Sequence, residues 1–192
     1  MALGALVVAC ATAACTHGSA GSAGARPVAR SRAAAAYTRG CGQAVGGTLP
    51  ARWRRSGVVL GSLALYSFGQ VTDRGRTSRL VASTLTPGRE VKLLALVRPG
   101  AVVTLTVPPA ERRVISLAYR PGVIPSAVAG GDAAVTFHAC ASQPGEQPGF
   151  PGWTQFNGGI VVAGARCARL VVASPGSVPA SMVLAFGRRS CG

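Results

Sequence analysis

The amino-acid sequence predicts an all-β protein, and three observations carry that expectation. Gly (26) and Pro (13) are abundant in a chain of 192 residues, a composition that suits short strands joined by tight turns. Valine-rich runs of strand length recur at spacings of about ten residues. No long stretch repeats its apolar residues at the helical period of about 3.6. Nearly half the residues are apolar but only 5% are aromatic, so Val, Ala and Leu must fill the core.

The elements follow in order. Residues 41–56, CGQAVGGTLPARWRRS, read as turn-like and basic. Trp53 stands there among Arg52, Arg54 and Arg55, either as an apolar plug under a domain edge or as a ring offered to a partner. Residues 57–68 form a β-rich run in which Gly61 marks a bulge or bend. A shorter strand at 78–85 is ended by the turn Thr86-Pro87-Gly88. Runs 90–97 and 101–107 flank Arg98-Pro99-Gly100 and read as the clearest hairpin in the chain. In the second of them Val103, Leu105 and Val107 alternate with Thr104 and Thr106.

Residues 113–119 place Ile115, Leu117 and Tyr119 on one face, and a Gly/Pro/Ala connection then runs to Asp132. Residues 133–140 turn Val135, Phe137 and Ala139 inward and leave Thr136, His138 and Cys140 on the other face. The longest loop, 141–157, carries Trp153 and Phe156, and strands at 159–163, 168–173 and 181–186 complete the set. Eight or nine short strands of this kind predict an immunoglobulin-like antiparallel sandwich over residues 41–192.

Before that domain the chain has a different character. Residues 1–15, MALGALVVACATAAC, are apolar and uncharged, too short to span a membrane as a helix and of signal-peptide length. Residues 16–40 form a Gly/Ser/Ala/Arg tether with no hydrophobic period, predicted to be disordered, and its Arg26, Arg30, Arg32 and Arg39 face no acid. An apolar core, small residues, a cysteine and a polar tether together resemble a bacterial lipoprotein signal. That resemblance implies a lipid on Cys15, with Cys10 as the alternative and cleavage near residues 11–13 as the soluble, secreted outcome. Taking Cys15 as the lipidated residue removes Cys10 with the leader and leaves an even set of four cysteines.

Cys41, Cys140, Cys167 and Cys191 in an exported chain read as two disulfides. Three connectivities are open. Cys167 is expected at the turn between strands 160–163 and 169–173, at the end of the domain where the last strand finishes, which favours Cys167–Cys191 with Cys41–Cys140.

Catalytic signatures are scarce. The five acids are Asp73, Glu90, Glu111, Asp132 and Glu146, with no close pair for acid–base work. His138 is the only histidine of the folded part, so a secreted hydrolase would have to use it, and no G-x-S-x-G elbow or phosphate-cradling loop is present. Without a CxxC pair or a second useful His, a metal site and a bound cofactor are not expected. The net charge of +15 rests almost wholly on Arg, since Lys92 is the one lysine. Such a charge suits anionic lipid or an anionic wall polymer. Nucleic acid is disfavoured, because the arginines are scattered and no DNA- or RNA-binding module is legible.

The hairpin RPGAVVTLTVP, the VTFHAC segment, the stretch from Trp153 through GGIVVAGARC and the terminal FGRRSC are similar to the small exported β-domains of unknown function found in actinobacteria. The Arg-, Ala- and Gly-rich composition agrees with such a GC-rich source. That resemblance implies fold and location and no chemistry. The expectation is therefore a non-catalytic exported protein, lipid-anchored at the outer face of the cytoplasmic membrane or else secreted. It would bind or support the envelope, its partner being the membrane itself, an envelope protein or an anionic polymer. Trp53, Trp153 and Phe156 are the candidate partner contacts, with the closing of one end of the sandwich as the alternative role of Trp153.

Overall fold

A computed structural model describes residues 36–47, 49, 53–66, 71–72, 79–80, 90–141, 152–186 and 191. The leader, most of the tether, both lipidation candidates Cys10 and Cys15, the Thr86-Pro87-Gly88 turn and most of the 78–85 strand lie outside the described residues.

The protein is all-β. Its strands are β1 (Tyr37–Arg39), β2 (Gly57–Leu60), β3 (Leu63–Tyr66), β4 (Val71–Thr72), β5 (Arg79–Leu80), β6 (Glu90–Lys92), β7 (Leu94–Val97), β8 (Val102–Thr106), β9 (Ile115–Ala118), β10 (Ala134–His138), β11 (Thr154–Phe156), β12 (Gly159–Val162), β13 (Arg166–Ala173) and β14 (Ala180–Phe186). One four-residue helix, α1 (Trp53–Ser56), and three single 3₁₀ turns are the helical pieces among the described residues. The count exceeds the expected eight or nine for physical reasons. Gly61, at a φ of 60°, takes the first place of a two-residue turn, so the 57–68 run folds back as the hairpin β2–β3 rather than bending once.

One layer has the order β1-β10-β8-β13-β14. All its pairings are antiparallel except β1, which lies parallel to β10 with Tyr37 opposite Val135. The other layer is built from two pieces, β11-β7-β3-β2 and β6-β12-β9. They join because the β6–β7 and β11–β12 runs keep one register. Phe156 faces Ala95 and, three residues on in each strand, Gly159 faces Lys92. Across the interruption the Leu93 N–H donates to the Gly158 carbonyl at 2.9 Å. The result is a two-layer, sandwich-like arrangement over a shared core. Val103, Leu105, Val135, Phe137 and Leu170 come from one side of that core, and Leu63, Leu93, Ile115, Leu117, Phe156 and Ile160 from the other.

Two connections depart from the sequence expectation. The runs about Arg98-Pro99-Gly100 are not a hairpin: β7 pairs with β3 and β11, whereas β8 pairs with β10 and β13. The Pro-Gly turn, tied by Gly100 N–H to the Cys140 carbonyl at 2.8 Å, carries the chain from one layer to the other. Likewise β12 and β13 are successive but belong to different layers. The expected disulfide Cys167–Cys191 is nevertheless formed, because β14 runs back along β13 and ends with Phe186 opposite Arg166.

The tether boundary also moves. Tyr37–Arg39, expected to be disordered, is a paired strand, and the Cys41–Cys140 disulfide locks the chain just after it. Parallel pairing to β10 gives these three residues a ladder that no local pattern announces.

Candidate functional site

The outer face of the second layer is where the described residues form a cleft. Along the β6–β7 run, Val91, Leu93, Ala95 and Val97 turn toward the shared core, so Glu90, Lys92, Leu94 and Leu96 turn outward by the period of two. Leu94 and Leu96 are covered by a second apolar cluster with Leu49, Trp53, Ala64, Tyr66 and Trp153. Glu90 and Lys92 lie beyond that cover. They form the floor of a cleft of about 890 Å³, completed by Arg39, Val45 and the Arg120–Ile124 segment.

Trp53, Trp153 and Phe156 are not where a partner would meet them. Trp53 and Trp153 are only 8% and 7% exposed and pack edge-to-face at 5.7 Å. Arg54 and Arg98 lie over them, each about 5.6 Å or less from a ring centroid. Phe156, assigned to a loop from its Pro/Gly neighbours, is the last residue of β11, fully buried against Phe137. The contact expected at these three rings is therefore corrected: the tryptophans plug the outer face of a sheet and Phe156 belongs to the core. His138 is exposed at the end of β10, and the neighbouring Cys140 sulfur is committed to Cys41. Among the described residues no three of His, Cys, Asp and Glu come together as metal ligands.

Arg39 is the residue that sequence reasoning misplaced most. Expected in the tether as a solvated charge, it is 3% exposed. Its Nη1 donates to the carbonyls of Tyr119 (2.5 Å) and Asn157 (3.1 Å), and its Nη2 to that of Gln43 (2.7 Å). The guanidinium carbon also lies 5.5 Å from the centre of the Phe156 ring. All these acceptors are neutral, and the buried Nε has no hydrogen-bond partner. Burial presses the pKa of Arg39 below its ordinary value; the side chain stays charged all the same. A buried cation held by carbonyl dipoles and one ring face, with no anion, is a costly arrangement that a negative charge nearby would relieve.

The other charges of the cleft are partly answered. Arg120 forks onto Asp132 at 2.7 Å and stacks over Tyr37 at 4.7 Å. It is the one ion pair among the described residues. Glu90 is half-buried because Gly159 leaves room for it: a Cβ at Gly159 would lie 2.6 Å from the Glu90 Oε1. Next to it, a Cβ at Gly158 would lie 2.6 Å from the Ala118 carbonyl oxygen and overlap the Tyr119 ring, so both glycines are required by close packing. Tyr119 is fully buried and donates its O–H to the Leu93 carbonyl at 3.0 Å. Burial, assisted by Glu90, pushes its pKa well above the ordinary phenol range.

Burial also raises the pKa of Glu90, against the opposing charge of Lys92. An acid whose pKa is raised on folding has no effect on stability below its unfolded value and opposes folding as the pH rises past it. Glu90→Gln should therefore raise the Tm at pH 7 and leave it unchanged at about pH 3.5. Thermal melts of both proteins at the two pH values check this. An equal change at both would mean that packing, not ionisation, is at work.

A sequence signal for the cleft exists, though it is thin: the single lysine two residues from one of five acids on a strand, and an apolar Val-Ile pair in a Pro-Gly loop. The sequence matches no protein-family model and no curated protein.

Proposed function

We propose that this protein is a non-catalytic, exported binding or structural domain of the cell envelope. It is held at the outer face of the cytoplasmic membrane by a lipid on Cys15, or on Cys10 if cleavage falls earlier. The observation that carries the reading is the pair of disulfides, Cys41–Cys140 and Cys167–Cys191, which uses all four body cysteines. Such bridges form and persist in oxidising compartments. The leader-like residues 1–15 and the basic, acid-free segment that follows support an anchor, since one acyl chain binds a membrane stably only with a second signal such as basic residues. The two-layer arrangement is read, within this proposal, as a sandwich in the immunoglobulin-like style, with the cleft as its binding feature.

Intact-mass measurement on the membrane fraction, with thiol labelling before and after reduction, tests this. The expected species begins at Cys15, carries a diacylglycerol, and has four cysteines that label only after reduction. An unlipidated species in the medium would replace the anchor by secretion. Free thiols in the body of the isolated protein would overturn export as a whole.

A further inference from the structure

We infer that the cleft between Arg39, Lys92 and the Arg120–Ile124 segment binds a small amphipathic anion, a carboxylate or phosphate group carried on an apolar chain. It deepens the binding role proposed above and does not depend on the anchor.

Charge comes first. Arg39 brings to the lining a buried guanidinium charge with no carboxylate partner, and Lys92 stands exposed on the same lining. Arg120 is already neutralised by Asp132, so Glu90 is the only acid of the lining set against two cations. An anionic group here gains charge-assisted hydrogen bonds from the exposed Lys92 ammonium, whose one acidic neighbour on the lining is Glu90, and is drawn by the charge of Arg39, which no anion answers. The second feature is the rim. Val123 and Ile124 are 48% and 75% exposed, large apolar side chains standing side by side at the mouth, with Leu94 inside. An ion alone would leave that surface in water, whereas an apolar chain covers it. The cleft is half open, and its volume of about 890 Å³ gives room for a small organic molecule.

The chain's own preceding segment is a poor occupant by charge. Residues 1–35 carry Arg26, Arg30 and Arg32 and no acid. Two sources share the required chemistry: a free fatty acid and a single-chain phospholipid.

The test is calorimetric titration of the full chain with dodecanoate, dodecyl phosphate, inorganic phosphate and dodecyltrimethylammonium, each amphiphile below its micellar concentration. Saturable one-to-one binding of one or both anionic amphiphiles is expected. Inorganic phosphate and the cationic amphiphile should bind at least about tenfold more weakly. The ratio of the two anionic affinities distinguishes a fatty acid from a phosphate headgroup. Lys92→Glu and Ile124→Asp, both at exposed positions, should each weaken binding about tenfold or more, while Glu90→Gln should tighten it. Equal binding of the cationic amphiphile would overturn the proposal, as would tight binding of phosphate alone, or affinities that Lys92→Glu and Ile124→Asp leave unchanged. An absence of binding by any of the four would do the same while leaving the export reading, judged by mass, untouched.

Discussion

Replacing Cys41 and Cys140 together by serine is expected to lower the stability of the domain by about 4.7 kcal/mol, from the loop entropy released to the unfolded chain. The bond closes a separation of 99 residues, whereas Cys167–Cys191 closes 24 and is worth about 3.5 kcal/mol on the same model. Native single domains are stable by only about 5–15 kcal/mol, so either loss is a large fraction of the whole. The first pair has a further effect. Cys41 follows β1 and begins the turn whose Gln43 carbonyl holds Arg39, so its loss also loosens the strand that places this guanidinium in the cleft. Urea unfolding of both double variants under non-reducing conditions checks the order. Should the Cys167/Cys191 variant prove the weaker, loop length is not what governs these bonds.

Phe137→Ala should cost about 3–5 kcal/mol, the usual range for removing a buried aromatic ring. Phe137 is fully buried on β10, edge-to-face with Tyr119 at 5.1 Å and tilted against Phe156 at the same distance. It joins the two layers, since Tyr119 follows β9 and Phe156 ends β11. The neighbouring Thr136 points to the other face and shares a 2.9 Å hydroxyl contact with Thr104. Thr136→Ala should cost only about 1 kcal/mol. Comparable losses for the two, measured by the same unfolding experiment, would contradict the placement of the core on the Phe137 side.

What the sequence made legible divides along physical lines. The strands that face one core and one solvent side, β8 and β10, carry the period of two in plain form, and Val103, Leu105, Val135 and Phe137 are buried where alternation puts them. Strands covered on both faces carry no such signal. In β3 and β7, LALY and LALV, every residue is buried, because the chain around Trp53 and Trp153 covers the outer face of the sheet. Nothing in those four-residue runs says which neighbours they pair with, so the turn at Pro99-Gly100 read as a hairpin when it joins two layers. Cys167 and Cys191 meet because β14 returns along β13, and their pairing does not need the expected pairing of β12 with β13, which lie in different layers.

The cleft was the least legible part. Arg39 sits in a segment whose composition announces a tether, and only the long-range pairing with β10 and three carbonyl acceptors draw it inside. Glu90 and Lys92 read as ordinary strand residues. Their role comes from Gly159 beside them and from the Arg120–Ile124 loop, and both belong to distant parts of the chain. The aromatic rings drew attention as partner contacts because Trp and Phe beside Pro and Gly suggest an exposed loop. In this fold they fill the spaces that scarce aromatics must fill.

The disulfides join the body cysteines in consecutive order, first with second and third with fourth. A chain that emerges amino terminus first offers Cys41 no other body thiol until Cys140 appears, 99 residues later. By the time Cys167 and Cys191 follow, the earlier pair can already be closed. On the export proposed above, with Cys10 and Cys15 outside the oxidised body, closing these thiols in order of appearance would yield the native bonds directly, with no slow reshuffling step of the kind non-consecutive bridges demand. The first of the described strands must consequently wait through β2 to β9, since β1 has no ladder until β10 is out.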